Sequence, residues 1–593
     1  METALQRVRS FFALDGRRLR RDVISALTVA AVAVPQDMAY AQIAGIPPQY
    51  GLYTGFVVTA MAALFGSSAQ LISGPTNAIS LVVFSALATL NLSSNPANPD
   101  LEMIQAVWLL AFLVGATQIV IALLKLGDLT RYVSESVLLG FMAGAGVLII
   151  LGQIPNLLGI KPLGDGHLTV LQRLWMTLRE SGGVDGPSAW LGIGTLVLLI
   201  PMRMLKQRLP FPFPDLLLAL ILATVVAPFL GWHPKGGTLH VERGLPEMVL
   251  PPLNRLDWIR PLGGSAVAIS VLGLLEAVAV AKAIAARTKQ KLDFNRECLG
   301  QGIANLSGSF FQCMPGSGSL TRSNINYQAG AVSRWSAVMS SFVVAAALLL
   351  LAPFARYVPK PALAALLIIT GYRLVDRGRL LYCLRATRYD AIIALSTAAA
   401  AMFISVELSI LIGICVSFLL FVPRAARLQV TQMVVGPERV VRERQPNDPE
   451  CGKLVIFSLE GELFFGAAPL LAEFLDMLRQ RVKQGARVLI LRLKRTRNPD
   501  MVCLEMLQQF LEEMQDRKVP VLLCGIRPDF REALYNLRFH HWLPQDCVFL
   551  EDVTLGSSTL TAVRRAYELL GNDLCETCPH RDLSDKQEWS YMI

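Results

Sequence analysis

The feature that most constrains this chain is a succession of long apolar stretches that runs to about position 425 and then stops. A bilayer core about 30 Å thick is crossed by roughly 20 apolar residues in helical conformation. Stretches that meet or approach that length are 23–45, 51–66, 105–125, 132–152, 188–205, 212–231, 264–286, 335–353, 361–375, 388–404 and 406–422. Three more, 76–90, 295–311 and 321–332, are shorter or broken, and counting them gives about fourteen crossings. The composition agrees. The chain is 53% hydrophobic and 17% charged, whereas soluble proteins are about a quarter charged. A disordered chain is excluded and a wholly soluble enzyme disfavoured.

The formal net charge of +10 reads as membrane topology rather than as nucleic-acid binding, because Lys and Arg concentrate in cytoplasmic loops. With an even number of crossings, Lys125, Arg203, Arg287, Lys289, Lys291, Arg373, Arg377, Arg379 and Arg385 fall on the side of the N-terminal arginines. Both termini are therefore expected in the cytoplasm, and the protein in the inner (plasma) membrane. Arg17, Arg18, Arg20 and Arg21 before an apolar run, with Ala39-Tyr40-Ala41 after it, imitate a signal peptide. More apolar spans follow at once, so this segment is expected to be the first membrane helix. All ten cysteines lie at or beyond Cys298, in a pattern that suggests reduced thiols rather than a secreted disulfide framework.

The expected organisation is a basic N-terminal segment (1–22), a transmembrane domain (23–424), a linker (425–450) with Pro437, Pro446 and Pro449, a small α/β domain (451–571) and a polar tail (572–593). In the α/β domain, strands are expected at Lys453–Leu459, Leu463–Phe465, Val488–Leu493, Val519–Cys524 and Cys547–Leu550. Helices are expected at Leu470–Arg481, Asp500–Asp516, Asp529–Arg538 and 558–570. That alternation implies a mostly parallel sheet covered by helices.

Two breaks carry the chemistry. Ser73-Gly74-Pro75-Thr76-Asn77-Ala78 and Pro315-Gly316-Ser317-Gly318-Ser319-Leu320-Thr321-Arg322-Ser323 each interrupt an apolar region and then start a helix. Irregular backbone at membrane depth is tolerated only where protein or a water cavity covers it. Paired interruptions in the two halves of a chain point to a transporter's binding site. Helix starts carry unpaired N–H groups and about half a positive charge, so two of them together favour an anion. Arg322 adds a full charge and a planar donor fork suited to oxyanions; the plainer alternative is a carboxylate partner that only holds helices together. No Gly-Lys-Ser/Thr follows the glycines, so this is not a phosphate loop of the Walker type.

Glu276, between Leu274-Leu275 and Ala277, is the second intramembrane charge. A carboxylate there is costly as an ion and suits a role in which a proton is taken up on one side and released on the other; its plainer role is partner to Arg322 or Lys282. Asp37 and Glu135 rank below it, as residues near helix ends or breaks. Gly140 and Gly144 form Gly-x-x-x-Gly, a close-packing signature. Cys575, Cys578 and His580 make half of a zinc site, and a solvated tail with free thiols is the expectation because four ligands are the norm.

These motifs resemble the SulP family of anion transporters (solute carrier family 26). The resemblance begins at Ala26-Leu27-Thr28 and runs through Pro35-Gln36-Asp37-Met38-Ala39-Tyr40-Ala41, Ile46-Pro47-Pro48-Gln49-Tyr50-Gly51-Leu52-Tyr53 and Ser73-Gly74-Pro75. It continues with Gly273-Leu274-Leu275-Glu276, Gly300-Gln301-Gly302-Ile303-Ala304-Asn305, the break through Ser323, and Asn326-Tyr327-Gln328-Ala329-Gly330-Ala331. The C-terminal region resembles the family's STAS domain. The resemblance implies a polytopic α-helical membrane protein of about 14 transmembrane segments, arranged as 7+7 inverted repeats in gate and core domains, and a cytoplasmic α/β STAS domain. It also implies elevator-type motion of the core and a homodimer. By the same resemblance, substrate would be held by Gln36, Tyr40, Thr76, Leu320, Thr321 and Arg322, with Glu276 at the acidic coupling position. Val280, one turn later, cannot ligate sodium, which favours a proton-coupled or exchange mechanism over sodium coupling. In the STAS domain, Asp500-Met501-Val502-Cys503 lacks the hydroxyl that relatives place there, so a phosphorylation switch is not expected.

The expected function is secondary active transport of an inorganic oxyanion, sulfate with a proton. The alternatives are bicarbonate, chloride or a dicarboxylate on the same fold, an anion channel, or a membrane scaffold acting through the STAS domain. The expected partners are the anion, protons, the lipid bilayer, a second copy and a cytoplasmic protein. No cofactor, metal, catalytic residue or nucleic acid is expected.

Overall fold

A computed structural model describes residues 16–90, 101–125, 134–160, 170–180, 183–208, 215–229, 241–355, 357–436, 440–448, 450–551, 557–575 and 590–591. The chain divides into two compact units, Met1–Ser417 and Phe418–Ile593.

The first unit is helical. Its first half holds α1 (Gly16–Ile43), α2 (Pro48–Phe65), a two-residue strand β1 (Ser73–Gly74), α3 (Asn77–Ala88), α4 (Leu101–Leu123), α5 (Glu135–Leu158), α6 (Val170–Glu180), α7 (Gly186–Arg208) and α8 (Asp215–Phe229). Its second half holds α9 (Leu256–Thr288), α10 (Phe294–Ser309), β2 (Ser317–Gly318), α11 (Leu320–Gln328), α12 (Trp335–Ala355), α13 (Lys360–Leu374), α14 (Arg377–Ala386), α15 (Arg388–Phe403) and the first part of α16 (Val406–Ala425). A helix stands at each of the fourteen expected positions. By length and apolarity alone, five spans among the described residues suffice to cross a membrane: Arg18–Ile43, Leu101–Leu123, Glu135–Leu158, Leu256–Thr288 and Leu408–Ala425.

Glycines set how closely the helices approach. A Cβ on Gly140 would lie 2.3 Å from the carbonyl oxygen of Ala394, and one on Gly144 would lie 2.8 Å from the Cβ of Ala401. The Gly-x-x-x-Gly face thus seats α5 directly on α15. Gly115 on α4 meets the backbone of Leu306 on α10 in the same way, at 2.4 Å. Small residues at a crossing let backbones touch and gain dispersion contact that lipid would otherwise supply.

The second unit is built on a seven-stranded sheet in the order β8-β7-β6-β5-β3-β4-β9. The elements are β3 (Gln429–Val435), β4 (Val440–Glu443), β5 (Leu454–Glu462), a short 3-10 turn (Phe465–Ala467), α17 (Ala468–Lys483), β6 (Val488–Arg497), α18 (Met501–Asp516), β7 (Val521–Ile526), α19 (Pro528–Asn536), β8 (Val548–Leu550), α20 (Ser557–Leu570) and β9 (Ser590–Tyr591). Strands β5 to β8 run parallel, as the alternating pattern implies, whereas β3 pairs antiparallel with both β4 and β5. Alternate side chains of the strands face opposite layers. Phe457, Leu489, Leu491 and Leu523 pack under α17, α18 and α19 with Phe474, Phe510 and Phe530. Ile456, Ile490 and Leu522 pack under α20 with Ala562, Val563 and Ala566.

Two expectations are corrected. Residues 425–450 are not a linker: they carry β3 and β4, because Gln429–Val435 is rich in β-branched side chains that suit a strand. Pro446 follows β4 and punctuates the turn after it, while Pro437 and Pro449 lie outside the described residues. Leu463–Phe465 is not a strand. Strand β5 ends at Glu462, and the Phe465 N–H bonds the Asp500 carboxylate at 2.5 Å instead of a neighbouring strand.

Candidate functional site

The two chain breaks meet. Ser73 lies opposite Gly318 and Gly74 opposite Ser317 in an antiparallel pairing inside the first unit. Side chains from flanking helices satisfy the irregular backbone around it. The Asn305 amide on α10 accepts from Gly316 N at 2.8 Å and donates to Gly316 O at 3.0 Å. Gln301 donates to Ser73 Oγ at 2.8 Å, and Thr54 on α2 accepts from Met314 N at 3.0 Å. Thr59 Oγ1 donates to Ser73 O. The segment 295–311 is therefore a scaffold for the breaks, which is the physical use of its buried amides.

Both breaks end on a hydroxyl that caps the following helix. Thr76 caps α3 by accepting from Ile79 N at 3.4 Å, and Ser319 caps α11 by accepting from Arg322 N at 3.5 Å. Such caps satisfy one first-turn N–H each.

Arg322 is fully buried, at 0% exposure. Its Nη1 donates to Asp37 Oδ1 at 2.6 Å and its Nη2 to the carbonyl oxygen of Pro75 at 2.7 Å. Gly74, at φ +144, leaves room for the guanidinium: a Cβ there would lie 3.0 Å from both Nη1 and Nη2. The plainer alternative for Arg322, a carboxylate partner, is thus part of its environment. Glu276, 8% exposed, accepts from Thr76 Oγ1 at 3.2 Å, so a cap residue of α3 joins it to α9. Ser317 Oγ donates to Gly273 O, one turn before Glu276, at 2.7 Å.

Of the expected site residues, Gln36, Tyr40, Thr76, Glu276 and Arg322 are buried within this region, while Leu320 and Thr321 on the first turn of α11 are exposed. Among the described residues, Gln36 Oε1, Asp37 Oδ2, Asn77 Oδ1, Ser80 Oγ and Arg322 Nε have no hydrogen-bond partner. Buried polar atoms ordinarily have one, so the elements that meet here hold spare donors and acceptors. Asp37, which the sequence ranks below Glu276, is the carboxylate that meets Arg322. It lies inside α1, two residues after Pro35 and six before the helix ends, and is fully buried. The available signal was the scarcity of intramembrane charge, which makes any buried Arg seek a carboxylate. Glu135, by contrast, is exposed at the start of α5 and pairs with Arg379 at 2.8 Å.

In the second unit, Asp500 caps α18 through Cys503 N at 3.0 Å and also accepts from Phe465 N. Burial, with the neighbouring Asp500 carboxylate, pushes the Cys503 thiol up to about 12. Cys575 is half-buried, and its sulfur lies 3.7 Å from that of Cys451. Cys578 and His580 lie outside the described residues. Among the described residues no three His, Cys, Asp or Glu side chains gather as a metal site.

The sulfate permease family pattern matches residues 19–397 and the STAS domain pattern matches residues 443–550. The chain is 28% identical over 533 residues to the putative sulfate transporter YvdB of Bacillus subtilis, covering 88% of this chain and 95% of that one. It is 29% identical over 526 residues to the chloroplastic sulfate transporter 4.1 of Arabidopsis thaliana, covering 86% and 75% respectively. It is 30% identical over 455 residues to the sodium-independent sulfate anion transporter of Bos taurus, covering 72% and 73%. The fold is that of the murine solute carrier 26 family member A9 anion transporter in the inward-facing state, with a TM-score of 0.81, 20% identity, and 95% and 94% of the two chains covered. Matches of this length, on a chain whose first unit joins two interrupted helices and whose second is an α/β sheet, make it a member of the sulfate permease family of membrane anion transporters, with a C-terminal STAS domain.

Proposed function

We propose that this chain moves sulfate with a proton across the plasma membrane by elevator-type alternating access. The observation that carries the reading is the antiparallel pairing of Ser73–Gly74 with Ser317–Gly318, which sets two helix starts beside Arg322. Each start presents first-turn N–H groups and about half a positive charge; in a low-dielectric surrounding such donors strongly favour an oxyanion. Gln36, Tyr40, Thr76, Leu320, Thr321 and Arg322 would hold the anion. Glu276, tied to the cap of α3, would carry the proton, so that proton uptake and the anion-binding helix start act on one another. The names of the relatives above favour sulfate among oxyanions.

In this reading about fourteen helices cross the membrane as 7+7 inverted repeats, both termini are cytoplasmic, the protein is a homodimer, and the STAS domain docks a cytoplasmic partner. Uptake of labelled sulfate into proteoliposomes tests it. Accumulation above the outside concentration is expected when the outside is made acidic. Uptake indifferent to the pH gradient would remove proton coupling. Flux that never exceeds the electrochemical gradient would favour a channel, and stronger competition by bicarbonate, chloride or a dicarboxylate would reassign the substrate.

A further inference from the structure

The partner of Arg322 sits on the same helix as two of the candidate anion ligands. Asp37 follows Gln36 directly and lies one turn before Tyr40 on α1. It is 0% exposed, gives Oδ1 to Arg322 Nη1 at 2.6 Å, and has no partner for Oδ2 among the described residues. Helix α2 is notched to admit it: a Cβ on Gly51 would lie 2.0 Å from the Asp37 carbonyl oxygen, and one on Gly55 would lie 2.0 Å from Oδ2. A buried ion pair that serves only to join helices is stable when its remaining lone pairs and protons are also satisfied. Here one carboxylate oxygen and the guanidinium Nε are both left over.

The other charges are few. Arg322 faces Asp37 from α11, which otherwise offers Tyr327; α3 and α12 carry no ionisable side chain, and α2 offers only Tyr50 and Tyr53. Asp215 on α8 pairs with Arg373 on α13 at 2.8 Å, and α13 adds Lys360 and Tyr372. On α1 itself stand Tyr40, Asp22 and the N-terminal arginines. Glu276 on α9 interacts electrostatically with Arg322. One guanidinium, two carboxylates and two helix starts worth about half a charge each sum to about zero. A dianion placed there alone would leave about two negative charges in a region screened from water, which is strongly unfavourable.

We propose that Asp37 is a second proton-taking residue of the anion site, the resident counter-ion that Arg322 exchanges for a dianion. Sulfate then enters with two protons, one on Glu276 and one on Asp37. The guanidinium turns from the neutralised Asp37 to the anion, and the loaded site carries no net charge. No bond other than those to the two protons is made or broken. This inference rests on the proton-coupled reading above and adds its stoichiometry.

The slope of log Kd for labelled sulfate against pH counts the protons taken up on binding. In the purified full chain, the slope is expected to approach two protons per sulfate, with uptake into liposomes insensitive to membrane potential. Asp37→Asn and Glu276→Gln are each expected to lower the slope to about one, and Asp37→Asn to make uptake respond to membrane potential. A structural role for Asp37 would leave the slope unchanged in Asp37→Asn, and that result would overturn the proposal. A wild-type slope of one would also overturn it while leaving the proton-coupled reading intact, and needs no variant to fold. A wild-type slope of zero would overturn that reading and this inference together.

Discussion

Arg322 and Asp37 lie 285 residues apart in sequence, yet their side chains meet at 2.6 Å with exposures of 1% and 0%. The contact ties the start of α11 to the C-terminal third of α1, and the second Arg322 donor ties it to the break before α3. One guanidinium thus joins three elements at the point where the two halves of the unit meet.

Removing one member of such a pair strands the other. Arg322→Ala leaves Asp37 without its hydrogen-bond partner, and the expected loss is about 3–5 kcal/mol. Replacing both together, as Arg322→Met with Asp37→Leu, is expected to cost clearly less than the sum of the single changes. Thermal unfolding of the purified variants in detergent checks this. Arg322→Ala unfolding at the wild-type temperature would show that the pair contributes nothing to the fold.

The glycines around the pair are steric requirements. Gly55→Ala would drive a methyl into Asp37 Oδ2, and Gly74→Ala would combine a strained φ of +144 with contact on the guanidinium. Each is expected to reduce sulfate uptake by at least about tenfold, since a displacement near 1 Å at a positioned site can cost about a hundredfold. Gly263→Ala on α9, where no heavy atom lies within 4 Å of the new methyl, is expected to be neutral or slightly stabilising. Equal behaviour of all three variants in the uptake assay would refute the steric account.

Glu276→Gln keeps the shape of the side chain and its contact with Thr76 but cannot exchange a proton. The expected variant still binds sulfate and exchanges it across the membrane, but concentrates it clearly less when a pH gradient is imposed, because only the proton on Asp37 remains coupled. Counterflow and gradient-driven uptake, measured on the same liposomes, separate the two. Undiminished accumulation by Glu276→Gln would take the proton-carrying role away from this residue.

In the second unit, the Arg442 guanidinium (2.5 and 2.7 Å), followed by the backbone N–H of Gln445, holds Asp448 from its ordinary 3.8 down to about 2. A folded value below the unfolded one stabilises above the unfolded value, and that stabilisation is lost as the pH falls through about 2. Hydrogen exchange of β3 and β4, corrected for the intrinsic pH dependence, is therefore expected to show weaker protection at about pH 2 than at about pH 5. Asp448→Asn is expected to flatten that difference. A wild-type profile already flat would contradict the assignment.

The helices were legible in the sequence because a buried or lipid-facing stretch must be apolar along its whole length, and that signal is local. The two breaks were legible for the same reason, since Gly74-Pro75 and Gly316-Ser317-Gly318 have no other use at that depth. That both serve one site was an inference from paired interruptions in the two halves, with helix dipoles giving only the ligand's sign; the structure sets Ser73 opposite Gly318. What escaped was long-range or contextual. Asp37 looked peripheral because nothing within its own helix names Arg322. The closeness of the Cys451 and Cys575 sulfurs has no sequence trace across the whole α/β domain. Strands β3 and β4 were hidden by prolines at 437, 446 and 449, which read as a linker; of these the described Pro446 lies just beyond β4.

The central claim is that the anion sits between the starts of α3 and α11 beside Arg322. The most direct measurement is the structure of the full chain with selenate, whose selenium scatters anomalously. The account predicts a single strong peak within hydrogen-bond reach of the first-turn N–H groups after Thr76 and Ser319 and of the Arg322 guanidinium. A peak elsewhere, with the Arg322–Asp37 pair undisturbed and no density at the paired breaks, would contradict it.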